Sequence, residues 1–136
     1  MYRIAFAGYA TVDIIENKRY FGGSAGTMSI NATHLGIRSF LISILSNDAF
    51  GQWYKQKLAR TEVDTSFCID ALHLPTCIIQ NPYGKGSERI WSDNGANNSI
   101  GKLKINTAIV NKFDGIFVVN SHPDLGEKIA KFSKRT

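Results

Sequence analysis

GGSAGTMSINATHLG, residues 22–36, sets a glycine pair directly before a helical pattern. Ala25, Met28, Ala32 and Leu35 recur at helical spacing, which predicts a helix over 24–35. Ser24 is placed to cap it, and Gly36 to end it. A double glycine before a helix lets the backbone approach another group without a Cβ in the way. The plainer reading of the same pair is a tight turn.

Working outward, YRIAFAG (2–8) is a short apolar run ending in glycine, which predicts a central strand. A polar hairpin is expected over 10–22, with Asp13 near its start. RSFLISIL (38–45) reads as a second buried strand, and Asn47-Asp48 supplies caps for a helix over 49–60. In that helix Phe50, Trp53, Tyr54 and Leu58 share one face, and the Lys57 stem can lie along it. A short strand is expected in VDTSFCI (63–69). A second hairpin is expected from TCIIQNP and SERIWS, with Gly84 and Gly86 in its turn. GIFVVN (115–120) predicts another buried strand, and 124–133 a closing helix. Alternating strands and helices give an α/β class with a mostly parallel sheet flanked by helices. The hairpins near 10–22 and 76–92 stand outside the alternation as a small appended sheet.

Composition narrows the partners. With 43% hydrophobic and 20% charged residues in a chain of 136, one compact domain with a real core is expected. The net charge of +5 is spread from Arg3 to Arg135, without an aromatic-interleaved basic stripe, which argues against nucleic-acid recognition. Only KIAKFSKRT is locally dense in lysine and arginine, and it reads as a solvated helical tail. Arg38, Ser39, Ser43 and Ser46 interrupt the longest apolar stretch, so no membrane span is expected. The N-terminus lacks the basic head and apolar segment of a secretory signal, which points to a cytoplasmic protein. Cys68 and Cys77 lie nine positions apart, and the three histidines are scattered, so no metal site is predicted.

The familiar phosphate loops are missing. No G-x-x-x-x-G-K-[ST] or G-x-G-x-x-G occurs, and no G-x-S-x-G elbow. What does occur, in order, is GYATVDII at the start, GGSAGTMSINATHLG, SNDAFG (46–51), EVDTSF and NGANNSI (94–100). This series resembles the PfkB family of carbohydrate kinases, the ribokinase-like group, over essentially the whole chain. The resemblance implies a ribokinase-like α/β fold with a small β lid, formed here by segments 10–22 and 76–92. It implies a sugar or nucleoside substrate, and ATP and Mg2+ as cofactors of the complete enzyme.

By that resemblance Asp13 accepts hydrogen bonds from substrate hydroxyls, and Gly22 and Gly23 let the backbone come close to the sugar. The helix opening at Ser24 presents free N–H groups to the ligand. Thr27 stands where the family signature carries a substrate-contacting asparagine; it keeps a hydroxyl but loses the two-pronged amide. Asn97 is a candidate substrate contact, and His122 a candidate lining residue near the position of a sugar-contacting acid. Each has a plainer role available: Asp13 as a solvated turn residue, Asn97 and Asn98 as loop-stabilising side chains. Asp48 reads as a helix cap rather than a ligand, Trp53 and Tyr54 as core, and Trp91 either as packing within the lid or as a lid over substrate.

The family's D-T-x-G-A-G-D segment, which carries its catalytic base and anion hole, does not occur in residues 1–136. No catalytic residue is therefore assigned, and the ATP site is expected to lie outside these residues. The sequence reads as the N-terminal, substrate-binding and lid portion of a PfkB-type kinase over 1–136, inactive alone. Self-association, or a complementing C-terminal half, would cover its open sheet edge. The alternative is a non-enzymatic binding or interaction module built on the same fold.

Overall fold

The computed structural model describes residues 1–83 and 88–133. Its centre is a parallel sheet in the order β4 (Arg38–Ile42), β1 (Arg3–Gly8), β9 (Gly115–Val119). Beyond β4, Asp64 forms a bridge with Phe40, so the sheet is prolonged on that side by a single pairing. After a break at Ser43 the chain resumes as β5 (Ile44–Ser46), which pairs in parallel with β6 (Ile69–Ala71). The 38–45 run is thus two short strands rather than one. The Ser43 hydroxyl donates to the Gly8 carbonyl at 2.7 Å and fastens the break to the end of β1.

Alternation along the strands explains the layers. Ala5 and Ala7 of β1 point, with Phe40 and Ile42 of β4, to one face. There they meet Ile100 of a 3-10 helix (Gly95–Lys102), Leu103 just after it, and Leu125 and Ile129 of α4 (Pro123–Phe132). Phe6 and Leu41 point to the other face, where Ala25 and Ala32 of α1 (Ser24–His34) and Tyr54 and Leu58 of α2 (Ala49–Leu58) cover them. Strands buried on both faces are apolar at nearly every position, which is why they read as continuous runs. A short α3 (Thr107–Val110) precedes β9. The free edge of the central sheet is β9, where Phe117 is 52% exposed.

A separate four-stranded sheet stands beside this core in the order β3 (Lys18–Gly22), β2 (Thr11–Ile15), β7 (Cys77–Asn81), β8 (Ile90–Trp91). β2 and β3 join through a two-residue turn, Glu16-Asn17, both with positive φ (47° and 63°). That turn fixes an antiparallel register of Asp13 opposite Tyr20 and Thr11 opposite Gly22. The expected turn at Gly84 and Gly86, and the last basic residues Lys134 and Arg135, lie outside the described residues. Among the described residues, no helix is long and apolar enough to cross a membrane.

Two further local expectations fail. The expected strand over 63–69 is reduced to the Asp64 bridge and the start of β6, and residues 65–68 turn between them: the Asp64 carboxylate accepts from Ser66 N–H at 2.9 Å, and Cys68 N–H bonds back to Thr65. Phe67 is thereby delivered to an edge-on cluster with Phe40 and Phe113. The segment NGANNSI, met in sequence as a loop motif, winds into the 3-10 helix.

Candidate functional site

The candidate residues gather where the small sheet leaves β1 and returns into α1. Asp13 and Thr11 are two apart on β2 and so share a face; the Thr11 hydroxyl donates to Asp13 Oδ1 at 3.0 Å. Both side chains lie across Gly22, the partner of Thr11 on β3. A Cβ at Gly22 would fall on Asp13 Oδ1 and Thr11 Oγ1, so any larger residue would displace the carboxylate. Asp13 is half-buried, and Thr11 is the one donor to its carboxylate found among the described residues.

Gly23 answers a different demand. It takes φ of 86°, the left-handed region, and its Cα faces the Tyr9 carbonyl and the backbone of Ala10 and Thr11. Gly23, rather than Ser24, is the N-cap of α1, and it offers no side-chain acceptor to the first turn. No acidic residue stands in that turn, and no side chain caps its leading N–H groups. Thr27 lies one turn on. Its hydroxyl donates to the Gly23 carbonyl at 3.1 Å, alongside its own N–H at 3.0 Å, and its side chain is exposed.

Asn97 is 1% exposed and bonds the Ala10 backbone twice: Nδ2 donates to the carbonyl at 2.9 Å, and Oδ1 accepts from the N–H at 3.2 Å. It therefore holds the segment leading into β2. His122 belongs to another neighbourhood. It caps α4, its Nδ1 accepting from Asp124 N–H at 3.3 Å, and it borders Gly101 of the 3-10 helix. The structure thus brings Asp13, Gly22, Gly23 and Asn97 around the single segment 9–13, with Thr27 bonded back to Gly23 one turn into α1 and His122 engaged at the start of α4.

The opposite face of the β2–β3 hairpin is fastened to α2. Phe21 stacks on Tyr54 with ring centroids 3.9 Å apart, and the buried Tyr54 hydroxyl donates to the Gly22 carbonyl at 2.9 Å. Arg19 lies over the Phe50 and Trp53 rings at 4.8 and 5.4 Å. Tyr54 is core, while Trp53 is half-buried and sits between Arg19 and Lys57. Burial, followed by the nearby charges of Cys68 and Asp13, pushes the Tyr54 hydroxyl well above its ordinary pKa, so it remains a donor.

Asp48 does more than cap α2. Oδ1 accepts from Gly51 N–H at 2.8 Å and from the Thr76 hydroxyl at 2.5 Å, while Oδ2 accepts from Thr76 N–H at 2.8 Å. Thr76 is the residue before β7, so one carboxylate ties the second half of the small sheet to α2. Burial acts to raise its pKa, but the bonds from Thr76, Gly51 and Phe50 outweigh it and hold the carboxyl below its ordinary value. Sequence reading reached the cap; the bonds to Thr76, 28 positions away, have no local signal. Tyr20 was also missed as a neighbour of Asp13, although the two-residue turn would have given that register.

Cys68 and Cys77 are free thiols, and burial pushes Cys68 up to about 12 and Cys77 upward as well. Neither is poised as a nucleophile. The described residues contain no group of three or more His, Cys, Asp or Glu side chains able to share a metal ion. No Mg2+ ligand and no step through ATP is assigned to them.

A family model described as pfkB family carbohydrate kinase matches residues 3–135. The chain belongs to the PfkB family. An ATP-dependent 6-phosphofructokinase of Thermoanaerobacterium thermosaccharolyticum is 36% identical over 50 residues, which cover 37% of this PfkB chain and 16% of that protein. In fold, the PfkB chain is similar to the Halothermothrix orenii fructokinase, with a TM-score of 0.78 at 19% identity, covering 95% of this chain and 52% of that one. It is likewise similar to the Methanocaldococcus jannaschii nucleoside kinase, a member of the ribokinase family, with a TM-score of 0.77 at 20% identity, covering 100% and 50%. A ribokinase-like protein of E. coli in complex with ATP and Mg2+ gives a TM-score of 0.80 at 20% identity, covering 97% and 49%. The architecture is ribokinase-like α/β, and the PfkB chain spans about half the length of each of these solved structures.

Proposed function

We propose that residues 1–136 form the acceptor-binding and lid half of a PfkB-type kinase, whose reaction is ATP-dependent phosphorylation of a sugar or nucleoside hydroxyl. The observation that supports this most is the Asp13–Thr11–Gly22 cluster beside Gly23 and the open first turn of α1. A half-buried carboxylate with spare acceptor capacity, next to free backbone N–H groups, is chemically matched to a polyol. Glycine at both 22 and 23 keeps the approach clear. In this reading the small sheet is the lid, and Thr27 and Asn97 shape the floor rather than touch the reacting hydroxyl.

The G-A-G-D segment of the family supplies the catalytic base and anion hole, and residues 1–136 do not carry it. The donor side then comes from polypeptide outside these residues, paired along the open edge of β9, and residues 1–136 alone do not turn over. Calorimetry with ribose and fructose tests the acceptor half: binding is expected, and Asp13→Ala weakens it at least about tenfold, as loss of a charged hydrogen-bond acceptor would. A coupled assay with ATP and the same sugars is expected to show no product. Robust Asp13-dependent phosphorylation by residues 1–136 alone would overturn the division of labour. Failure of any sugar or nucleoside to bind, with a protein partner retained, would favour the interaction module.

A further inference from the structure

A cavity of about 530 Å³ lies at the β5–β6 end of the fold, on the face of the sheet covered by the 3-10 helix. Ile42 and Ile44 form its floor, Phe67, Leu103 and Ile109 its sides, and Ile69, 53% exposed, stands at its mouth. None of its residues belongs to β9 or α4, and it shares none with the Asp13 cluster. It sits on the opposite side of β1 from the β9 edge, so a strand added at that edge does not reach it. Lys102 and Lys104 also line it, with exposed side chains. No carboxylate lines the cavity, and neither lysine forms an ion pair among the described residues; Asp70, next to Ile69, is taken by Lys55 at 2.7 Å. Lys112 adds a third ammonium, 5.4 Å from the centre of the Phe67 ring. The backbone that carries Lys102 is held in place, because the Lys128 ammonium donates to the Gly101 and Leu103 carbonyls.

We propose that this cavity binds a medium-chain monocarboxylate, its apolar chain against the isoleucines and Phe67 and its carboxylate at Lys102 and Lys104. The walls decide the body of the ligand. Ser66 and Ser99 are their neutral polar side chains, so a polyol or a nucleotide base would give up its water with little to replace it. An apolar chain gains from the same walls, and the volume falls within the range of about 300–1,000 Å³ of small-molecule pockets. The lysines decide the head. Two ammonium point charges without a carboxylate beside them attract a compact anion and repel a cation. The site is independent of the acceptor contact at Asp13 and stands or falls separately from it.

Titration calorimetry of the 136-residue chain with decanoate, octanoate and decyltrimethylammonium, each below its micelle-forming concentration, tests this. One decanoate per chain is expected, bound at least about tenfold more tightly than octanoate, since each buried methylene contributes about fourfold. The cation, with the same decyl chain, is expected to bind about tenfold or more weakly than decanoate. Lys102→Gln combined with Lys104→Gln weakens decanoate about fivefold and narrows the gap to the cation, whereas Ile69→Asn weakens anion and cation alike. Circular dichroism controls for folding, and the comparison of the three ligands on the unaltered chain holds whether or not a variant folds. No decanoate binding, several decanoates per chain, or equal affinity for anion and cation would overturn the site. So would a decanoate affinity indifferent to the lysine pair. An effect of Ile69→Asn on sedimentation without any uptake of decanoate would make the cavity a contact between copies and overturn the proposal.

Discussion

Asn97 holds Ala10 by both of its backbone polar atoms, at 2.9 and 3.2 Å, across 87 positions of sequence. Ala10 is the residue at which the chain leaves the core sheet for the small one, with Thr11 and Asp13 just beyond. A side-chain amide mimics a strand partner there, because it offers one donor and one acceptor in the spacing of a peptide group.

Asn97→Ala leaves the Ala10 N–H and carbonyl without partners in a buried place. A loss of about 2 kcal/mol or more is expected, read as a lower urea midpoint at unchanged slope. Asn97→Leu, which fills the volume without the polar groups, should not rescue it. A variant as stable as the parent would mean that water replaces the amide.

Tyr54→Phe keeps the stack on Phe21 but removes the hydroxyl's bond to the Gly22 carbonyl. It is expected to cost about 1–2 kcal/mol and to loosen the glycine that supports Asp13. Thermal denaturation checks the first effect, and calorimetry with ribose the second. Weakened ribose binding without any stability change would separate the two roles.

Asp48→Asn probes the tie between α2 and β7 through pH. The folded-state pKa of Asp48 is depressed, so its contribution is present above the unfolded carboxyl value of about 4 and is lost as pH falls through the folded value. Wild type is expected to exceed the variant in urea stability at pH 7, with the gap narrowing toward pH 3. A gap that stays constant would place the loss in packing rather than ionisation.

Much of the architecture was legible because its cause is local. β1 is apolar on both faces, and α1 declares itself through helical spacing; their bounds differ from expectation by a residue. β9 was found as a strand but not as the buried one expected, because it is the open edge of the sheet and Phe117 and Val118 are exposed. The cap of α1 was misplaced onto Ser24 because serine is the common N-cap, whereas the entry needs φ of 86° and so falls on Gly23. The strand expected over 63–69 failed because Asp64 closes a turn with its own side chain, a competition with extended structure that aspartate always carries. Within the candidate site, the glycine pair and Asp13 could be picked out from residue type and order. The Asn97 clamp and the Thr76 tie could not, since each depends on which segments lie side by side.

The β2–β3 hairpin carries two sets of obligations on alternate residues: 11, 13, 20 and 22 on one side, 12, 14, 19 and 21 on the other. Parity is therefore a constraint of its own. Inserting or deleting one residue within either strand would exchange the anchor of Arg19 and Phe21 with the face of Asp13 and Tyr20. Descendants of this chain are free to change the residues of the small sheet, and to lengthen it in steps of two, but a single-residue step would turn its two faces inside out.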